Sequence, residues 1–289
     1  MNKFNDVEAE LLGGGVVLFR NAIETDWEWC LDFSKKGIDK EFNEMYTPVF
    51  DDNNNITHFL NRSLYEFDVL GIDKMPKRFS SPHKSTEQKA VEILTFIEES
   101  KDRYLLKYIE KYPLAYKNIW WKVKGHIVSY LSEYSSYLGE HSDTSTNYEY
   151  GEPHPPDQLA SRNSVSALVY FNSSNKDFTG GDHYFTYLDI EYSPNQGDIL
   201  MFPSNYMAAH EVKPVTGGIR YSYLGWYCQG SPNSDYKEDV TDPVTYPDVA
   251  KYATNVYMPN LKNDVLAFLE SRTGNHSAIN LVNGGRGGY

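Results

Sequence analysis

Cysteine is scarce: Cys30 and Cys228 are the two in 289 residues. They lie far apart and show none of the spacing of a zinc knuckle or a redox pair, which leaves buried free thiols and a reducing compartment as the expectation. Positive charge is short as well, with 27 Lys and Arg against 40 Asp and Glu and a formal net charge of -13. Nucleic-acid binders concentrate basic residues to displace counterions, so no nucleic-acid partner is expected, although a local basic patch is compatible with the count. Long apolar runs are missing too. None approaches membrane-spanning length, and the N-terminal "MNKFNDVEAELLGGGVVLF" is broken by Asp6, Glu8 and Glu10. Neither a membrane span nor a signal-peptide core is therefore expected, and the chain reads as soluble and cytoplasmic. There is no nucleophile elbow, no phosphate-cradling glycine loop and no internal repeat, which removes the readings those motifs carry.

What is present is aromatic and apolar: 15% aromatic with 24 Tyr, and 40% hydrophobic. This is the composition of a folded chain with a substantial core. "GGGVVLF" from Gly13 to Phe19 predicts a strand, and Ile23, Trp27, Leu31 and Phe33 behind it recur at near-helical spacing. From about Glu41 to Lys84 the chain is polar, with "DDNNN" at Asp51 to Asn55, and predicts loops with short elements. "STEQKAVEILTFIEESKDRYLLKYIEKYP" predicts one long helix or two successive ones, with Ser85 or Thr86 as N-cap and Pro113 as stop. The acidic residues of "SKDRYLLKYIEK" are expected on its solvated face, and Trp120 and Trp121 in the core.

From Ile119 the period changes. "IWWKVKGHIVSYLSEYSSYLGEHSD" predicts one or two strands separated near Gly125. Short strands follow at Ser164 to Phe171, Asp182 to Pro194, Gly197 to Ser204, Ala208 to Val215 and Ile219 to Cys228, punctuated by Gly, Pro and Asn. Such evenly spaced strands read as an antiparallel barrel or double sheet. A helix is expected in "NDVLAFLESR", and "NGGRGGY" is a flexible tail by composition. Residues 1–118 are then an N-terminal strand and helical support region, 119–230 the β core, and 231–289 a C-terminal extension, all within one structural domain.

Within that core, "YLGEHSDTS" sets Asp143 two positions after His141. In an extended segment such residues point to one side, so both could reach one ion, although a polar turn has the same composition. His210 follows 69 positions later, and Arg220 ten beyond it. Two imidazoles and a carboxylate leave half of an octahedral iron open, as a non-haem Fe(II) oxygenase requires. A guanidinium at the end of a strand can hold one carboxylate of a dicarboxylate whose other end chelates the metal, and Ser222, at i+2 from Arg220, would face the same way.

These residues resemble the Fe(II)/2-oxoglutarate-dependent dioxygenases of the prolyl 4-hydroxylase type. The resemblance runs from about Trp121 to Trp226. It comprises H-x-D at His141 and Asp143, "ALVYFN" at Ala167 to Asn172, "GGDHYF" at Gly180 to Phe185, "P-x-x-G-D-I-L-M-F" at Pro194 to Phe202, and "HEVKPVTGGIRYS" from His210 to Ser222. It implies a mainly β fold with flanking α-helices around a double-stranded β-helix (jelly-roll, cupin-like) core. It implies His141, Asp143 and His210 as catalytic iron ligands, Arg220 and Ser222 on the distal carboxylate of 2-oxoglutarate, and Tyr130, in competition with Tyr134 and Tyr137, in the cosubstrate pocket. The cofactors implied are Fe(II), 2-oxoglutarate and O2, with ascorbate as an additional candidate. The implied reaction hydroxylates an unactivated C–H bond, of a peptidyl or free prolyl or similar amino-acid residue, with release of succinate and CO2. Related halogenases lack the carboxylate, so Asp143 favours hydroxylation.

Hydroxylation of another small metabolite, and a non-catalytic binding module on the same fold, are the competing readings. Resemblance to nucleic-acid demethylases is weaker, since a single arginine follows His210 closely. The polar insertion Thr144 to Asn163 is long enough to be a lid, which makes Tyr148, Tyr150 and Arg162 candidates for contact with a peptide or small-molecule substrate. Gly180 and Gly181 are expected to permit a tight turn. His154 and His183 are not assigned as ligands.

Overall fold

A computed structural model describes residues 1–38, 46–61, 84–144, 163–229, 255–272 and 276–283. In chain order the strands are β1 (Lys3–Phe4), β2 (Glu10–Gly13), β3 (Val16–Phe19), β4 (Ile23–Glu24), β5 (Tyr46–Phe50), β6 (Ile56–Asn61), β7 (Trp121–Leu131) and β8 (Leu138–His141). They continue as β9 (Asn163–Tyr170), β10 (Phe178–Gly180), β11 (His183–Phe185), β12 (Ile190–Tyr192), β13 (Ile199–Pro203), β14 (His210–Val212), β15 (Val215–Cys228) and β16 (Asn255–Tyr257). Helices are α1 (Trp27–Ile38), α2 (Lys84–Lys111), α3 (Leu261–Ser271) and α4 (His276–Asn283). A large sheet runs β2-β3-β13-β9-β15-β7-β6-β5, with β10 on β15 and β16 on β7. A smaller sheet runs β12-β11-β14-β8. The two form the jelly-roll core, a double-stranded β-helix. Strands from residues below 118 lie at both ends of the large sheet.

Alternation along each strand divides the large sheet into two faces. Val165, Ala167, Val169, Ile199, Met201, Tyr221 and Tyr223 point outward into a core shared with α1, α2, α3 and α4. Their neighbours Leu168, Tyr170, Leu200 and Phe202 point inward and pack with Phe185 and Tyr192 of the small sheet. The helix α2 presents Ile93, Leu94, Ile97, Tyr104, Leu105 and Tyr108, all buried, as one stripe at three- and four-residue spacing. It is one helix rather than two, and it ends before Pro113, which cannot continue the backbone ladder. It begins at Lys84, so Ser85 and Thr86 lie inside it instead of capping it.

Three further sequence expectations are corrected. Gly125 does not separate two strands: β7 runs through it, with a bulge opposite Leu224 to Trp226. A Cβ at Gly125 would lie 1.5 Å from the Leu224 carbonyl oxygen, so the glycine permits a close strand approach. The bulge also flips the strand's faces, sending Lys122 outward towards α2 while Val128 and Tyr130 further along point inward. Trp121 is buried as expected, but Trp120 is 37% exposed. Finally, the two acidic residues of "SKDRYLLKYIEK" are engaged by partners: Asp102, its side chain 34% exposed, accepts from Lys122 and from the Tyr227 hydroxyl, and Glu110, 8% exposed, accepts from Arg272.

Other features agree. Asp51 Oδ1 accepts from the backbone N–H groups of Asn53 and Asn55, which closes the β5–β6 turn through the "DDNNN" stretch. Gly180 and Gly181 both have φ near +70° (71° and 69°). A Cβ at Gly180 would meet the Pro214 carbonyl oxygen at 2.3 Å, so this turn needs glycine. Cys30 and Cys228 are buried free thiols. Among the described residues no helix is long and apolar enough to cross a membrane. The tail "NGGRGGY" lies outside the described residues from Gly284 on, and so does His154.

Candidate functional site

Antiparallel pairing of β14 with β8 sets His210 directly opposite His141. Asp143 follows two positions later, where the strand has ended. One ligand atom from each of His141, Asp143 and His210 lies within 4.8 Å of the others. His141 Nε2 is 3.4 Å and His210 Nε2 3.9 Å from Asp143 Oδ1, and the two imidazole centroids are 4.3 Å apart.

The orientation of both rings follows from their other nitrogen. His141 Nδ1 donates to the Gly139 carbonyl at 2.8 Å, and His210 Nδ1 to the Ala208 carbonyl at 3.0 Å. A carbonyl oxygen only accepts, so Nδ1 of each ring carries a proton; in the neutral ring Nε2 then holds the lone pair, and His141 Nε2 donates to Asp143 only when that ring is protonated. Asp143 is fixed in the same way. Its Oδ2 accepts from the Ser166 hydroxyl, which lies 2.8 Å from the Ser204 hydroxyl, and its carbonyl accepts from Asn163 Nδ2 at 3.0 Å. Ser166 and Ser204 are inward-facing positions on and beside β9 and β13, so strand parity aims them at the carboxylate.

Burial pushes the Asp143 carboxyl up, yet the His141 hydrogen bond and the charges of His210 and His141 hold it at about 2. Burial pushes the His210 imidazole down to about 4. For His141 burial lowers the value, but the hydrogen bond to Asp143 and its charge outweigh it and the net direction is upward. The carboxylate is therefore ionised and His210 neutral near pH 7, a donor set that could hold a divalent transition metal.

Arg220 faces the same inter-sheet space from β15. It is 0% exposed, and its Nε, Nη1 and Nη2 have no hydrogen-bond partner among the described residues. Its guanidinium carbon lies 5.1 Å from the Tyr130 ring centroid and 5.3 Å from that of Tyr170. Pairing sets Arg220 opposite Tyr130 on β7, and Ser222 opposite Val128 on β7 and Tyr170 on β9. The Ser222 hydroxyl is also buried without a partner. Gly181 makes room at this point, since a Cβ there would lie 3.3 Å from Arg220 Cδ. An unpaired buried guanidinium is costly, and a carboxylate from outside the chain is the partner its fork fits.

Residues 125–228 match the family model of the 2OG-Fe(II) oxygenase superfamily. That stretch is a 2OG-Fe(II) oxygenase domain. A PKHD-type hydroxylase from Idiomarina loihiensis is 36% identical over 107 residues, a match that takes in 34% of this chain and 47% of that protein. The chain thus spans about half the length of this curated relative. Among solved structures, a Pseudomonas putida prolyl-4-hydroxylase aligns at 15% identity and TM-score 0.45 over 75% of this chain and 94% of that one. A prolyl hydroxylase from Trichoplax adhaerens, in complex with a hypoxia inducible factor peptide fragment, aligns at 13% identity and TM-score 0.46 over 75% and 84%.

Of the sequence candidates, the oxygenase domain brings together His141, Asp143 and His210, and separately Arg220, Ser222 and Tyr130. Tyr134 is largely exposed and Tyr137 donates to Asp51 at 3.0 Å, so neither competes with Tyr130 for the space beside Arg220. Tyr148, Tyr150 and Arg162 lie outside the described residues. Sequence reasoning missed Ser166, Ser204 and Tyr170, which alternation places on one face with Leu168, Leu200 and Phe202, and it left His183 unassigned.

Proposed function

We propose that this chain is an Fe(II)- and 2-oxoglutarate-dependent dioxygenase that hydroxylates an unactivated C–H bond, of a peptidyl or free prolyl or similar amino-acid residue. The observation that carries it is Arg220: a fully buried guanidinium with no hydrogen-bond partner among the described residues, in the same inter-sheet space as a His-Asp-His cluster. The donor set suits a non-haem iron, and the guanidinium suits the far carboxylate of the cosubstrate. The hydroxylase relative at 36% identity favours hydroxylation over other oxidative outcomes.

Iron(II) with 2-oxoglutarate and O2 would supply the oxidising chemistry, releasing succinate and CO2. The chain supplies geometry. His141 and His210 each offer Nε2 because a backbone carbonyl holds Nδ1, and Asp143 offers Oδ1 because Ser166 holds Oδ2. A metal held by these three donors would keep coordination positions for ligands from outside the chain. Arg220 and Ser222 hold the distal carboxylate, and the apolar wall of Val128, Tyr130, Val212 and Val215 keeps water from competing for it. His141 is the most exposed member of the cluster, its side chain 30% exposed, which supports substrate entry from its side. Tyr148, Tyr150 and Arg162 belong to the segment that follows Asp143 and are the first residues to substitute in a substrate screen. Buried free thiols at Cys30 and Cys228 fit a reducing, cytoplasmic location.

The test is succinate release from 2-oxoglutarate with Fe(II), O2 and ascorbate, screened over proline-containing peptides and free amino acids, with His210→Ala as control. Substrate-dependent succinate lost in the variant is the expected result. Protein that binds the metal but releases no succinate with any member of both sets would favour a non-catalytic binding protein on this fold.

A further inference from the structure

His183 is a further imidazole in the space between the sheets, and the metal cluster leaves it out. Its side chain on β11 is 1% exposed, and neither Nδ1 nor Nε2 has a hydrogen-bond partner among the described residues. Buried polar atoms in folded proteins are paired almost without exception, so two unpaired nitrogens on one ring point to a partner from outside the chain. The position of the ring says which partner. It stacks on His210 at 4.7 Å between centroids and 20° between planes, and on Phe185 at 4.8 Å and 30°. β-Pairing sets His183 opposite Val212, whose side chain packs with Val128, Tyr130 and Val215, the apolar group flanking Arg220. The ring therefore projects from the small sheet into the space that Arg220 enters from the large one, beside a candidate metal ligand. A neutral imidazole offers one N–H, and a dicarboxylate offers only acceptors.

We infer that His183 donates a hydrogen bond to the dicarboxylate held between the metal ligands and Arg220, and so is a cosubstrate-binding residue. The inference rests on the reading that this site takes 2-oxoglutarate. The Phe185 and His210 faces fix the ring plane, so the N–H is aimed before the ligand arrives and adds a donor from the small sheet to those of Arg220 and Ser222 on the large one.

The test is calorimetric binding of 2-oxoglutarate to protein loaded with Mn(II) in place of iron, which needs no turnover, on the wild type, His183→Met and His183→Gln. Met and Gln have similar shape, so packing effects cancel between them. His183→Met should bind 2-oxoglutarate roughly tenfold more weakly than wild type, and His183→Gln, which keeps a donor, about threefold or more tighter than His183→Met. Mn(II) affinity should change by less than about twofold in both, since neither substitution touches a ligand atom. Wild-type affinity in His183→Met, or Gln no better than Met, overturns the inference and leaves solvent as the ring's partner. If wild-type protein holds Mn(II) but not 2-oxoglutarate, the proposed function fails, a result separable from the other two.

Discussion

Two charged clusters are buried on opposite faces of the same sheet, and the chain finishes one and not the other. On the outer face, beneath α2, Glu98 Oε1 accepts from Lys101 Nζ at 2.8 Å and from the Tyr223 hydroxyl at 2.6 Å. Lys122 Nζ lies 3.6 Å from Glu98 Oε2 and also donates to Asp102, which accepts from the Tyr227 hydroxyl at 2.9 Å. On the inner face Arg220 meets two aromatic rings and no anion. Burial of a charge is tolerated when partners repay the lost hydration. The outer cluster finds its partners within the chain and is structural. The inner one lacks an anion that the fold does not provide, which marks it as a place for a ligand.

The comparison breaks most visibly if the outer cluster is cut. Glu98→Ala leaves Lys101 and Lys122 without their shared carboxylate and should cost about 3–5 kcal/mol of stability, read as a fall in denaturant midpoint. Cosubstrate affinity of the folded fraction should not change. Arg220→Met should do the reverse. Affinity for 2-oxoglutarate should fall by the equivalent of about 2–5 kcal/mol, while the ligand-free protein keeps or slightly gains stability because a lone buried charge is gone. A loss of stability as large as that of Glu98→Ala would erase the distinction between the clusters.

Acid sharpens it further. Burial pushes the Glu98 carboxyl up, but Lys101 and Lys122 outweigh this and hold it at about 2, below its usual 4.5. A depressed carboxylate contributes stability that is present above the unfolded value and lost as pH falls through the folded one. Wild-type protein should therefore lose this contribution between pH 4.5 and about 2, and a pH series of unfolding curves for Glu98→Gln should be flatter across that window. Smaller effects are expected nearer the ligands. Ser166→Ala frees Asp143 Oδ2 and should weaken metal binding roughly tenfold by equilibrium dialysis, with the fold intact. Tyr134→Phe, at an exposed ring outside both clusters, should stay within about 0.5 kcal/mol in stability, with no change in cosubstrate affinity.

What the sequence makes legible is what repeats or punctuates. The short strands after residue 163 announce themselves through alternation and turn residues, and α2 through its apolar stripe. The spacing of His141, Asp143, His210 and Arg220 can be read because each residue type is rare in such an order. What stays hidden depends on register. Tyr130 is one of several tyrosines on or just after β7, and only its pairing with Arg220 separates it from Tyr134 and Tyr137. Gly125 reads as a break because a bulge and a chain break have the same local signature, and the difference lies in Leu224 on the partner strand. Asp102 and Glu110 read as solvated because their partners, Lys122, Tyr227 and Arg272, come from distant parts of the chain. His183 gives no sign in sequence that His210 will stack on it.

The central claim, that Arg220 waits for the far carboxylate of a dicarboxylate, is tested most directly by comparing two ligands under anaerobic conditions. Fe(II)-loaded protein is titrated with 2-oxoglutarate and with 2-oxopentanoate, which keeps the chelating end and the chain length but lacks the distal carboxylate. The absorption band formed on chelation is followed in wild type and in Arg220→Met. Wild type should prefer 2-oxoglutarate by roughly a hundredfold, the worth of a buried charge-assisted pair, and the variant should lose nearly all of that preference. An equal preference in both proteins would contradict the account, because the carboxylate would then be held somewhere other than Arg220.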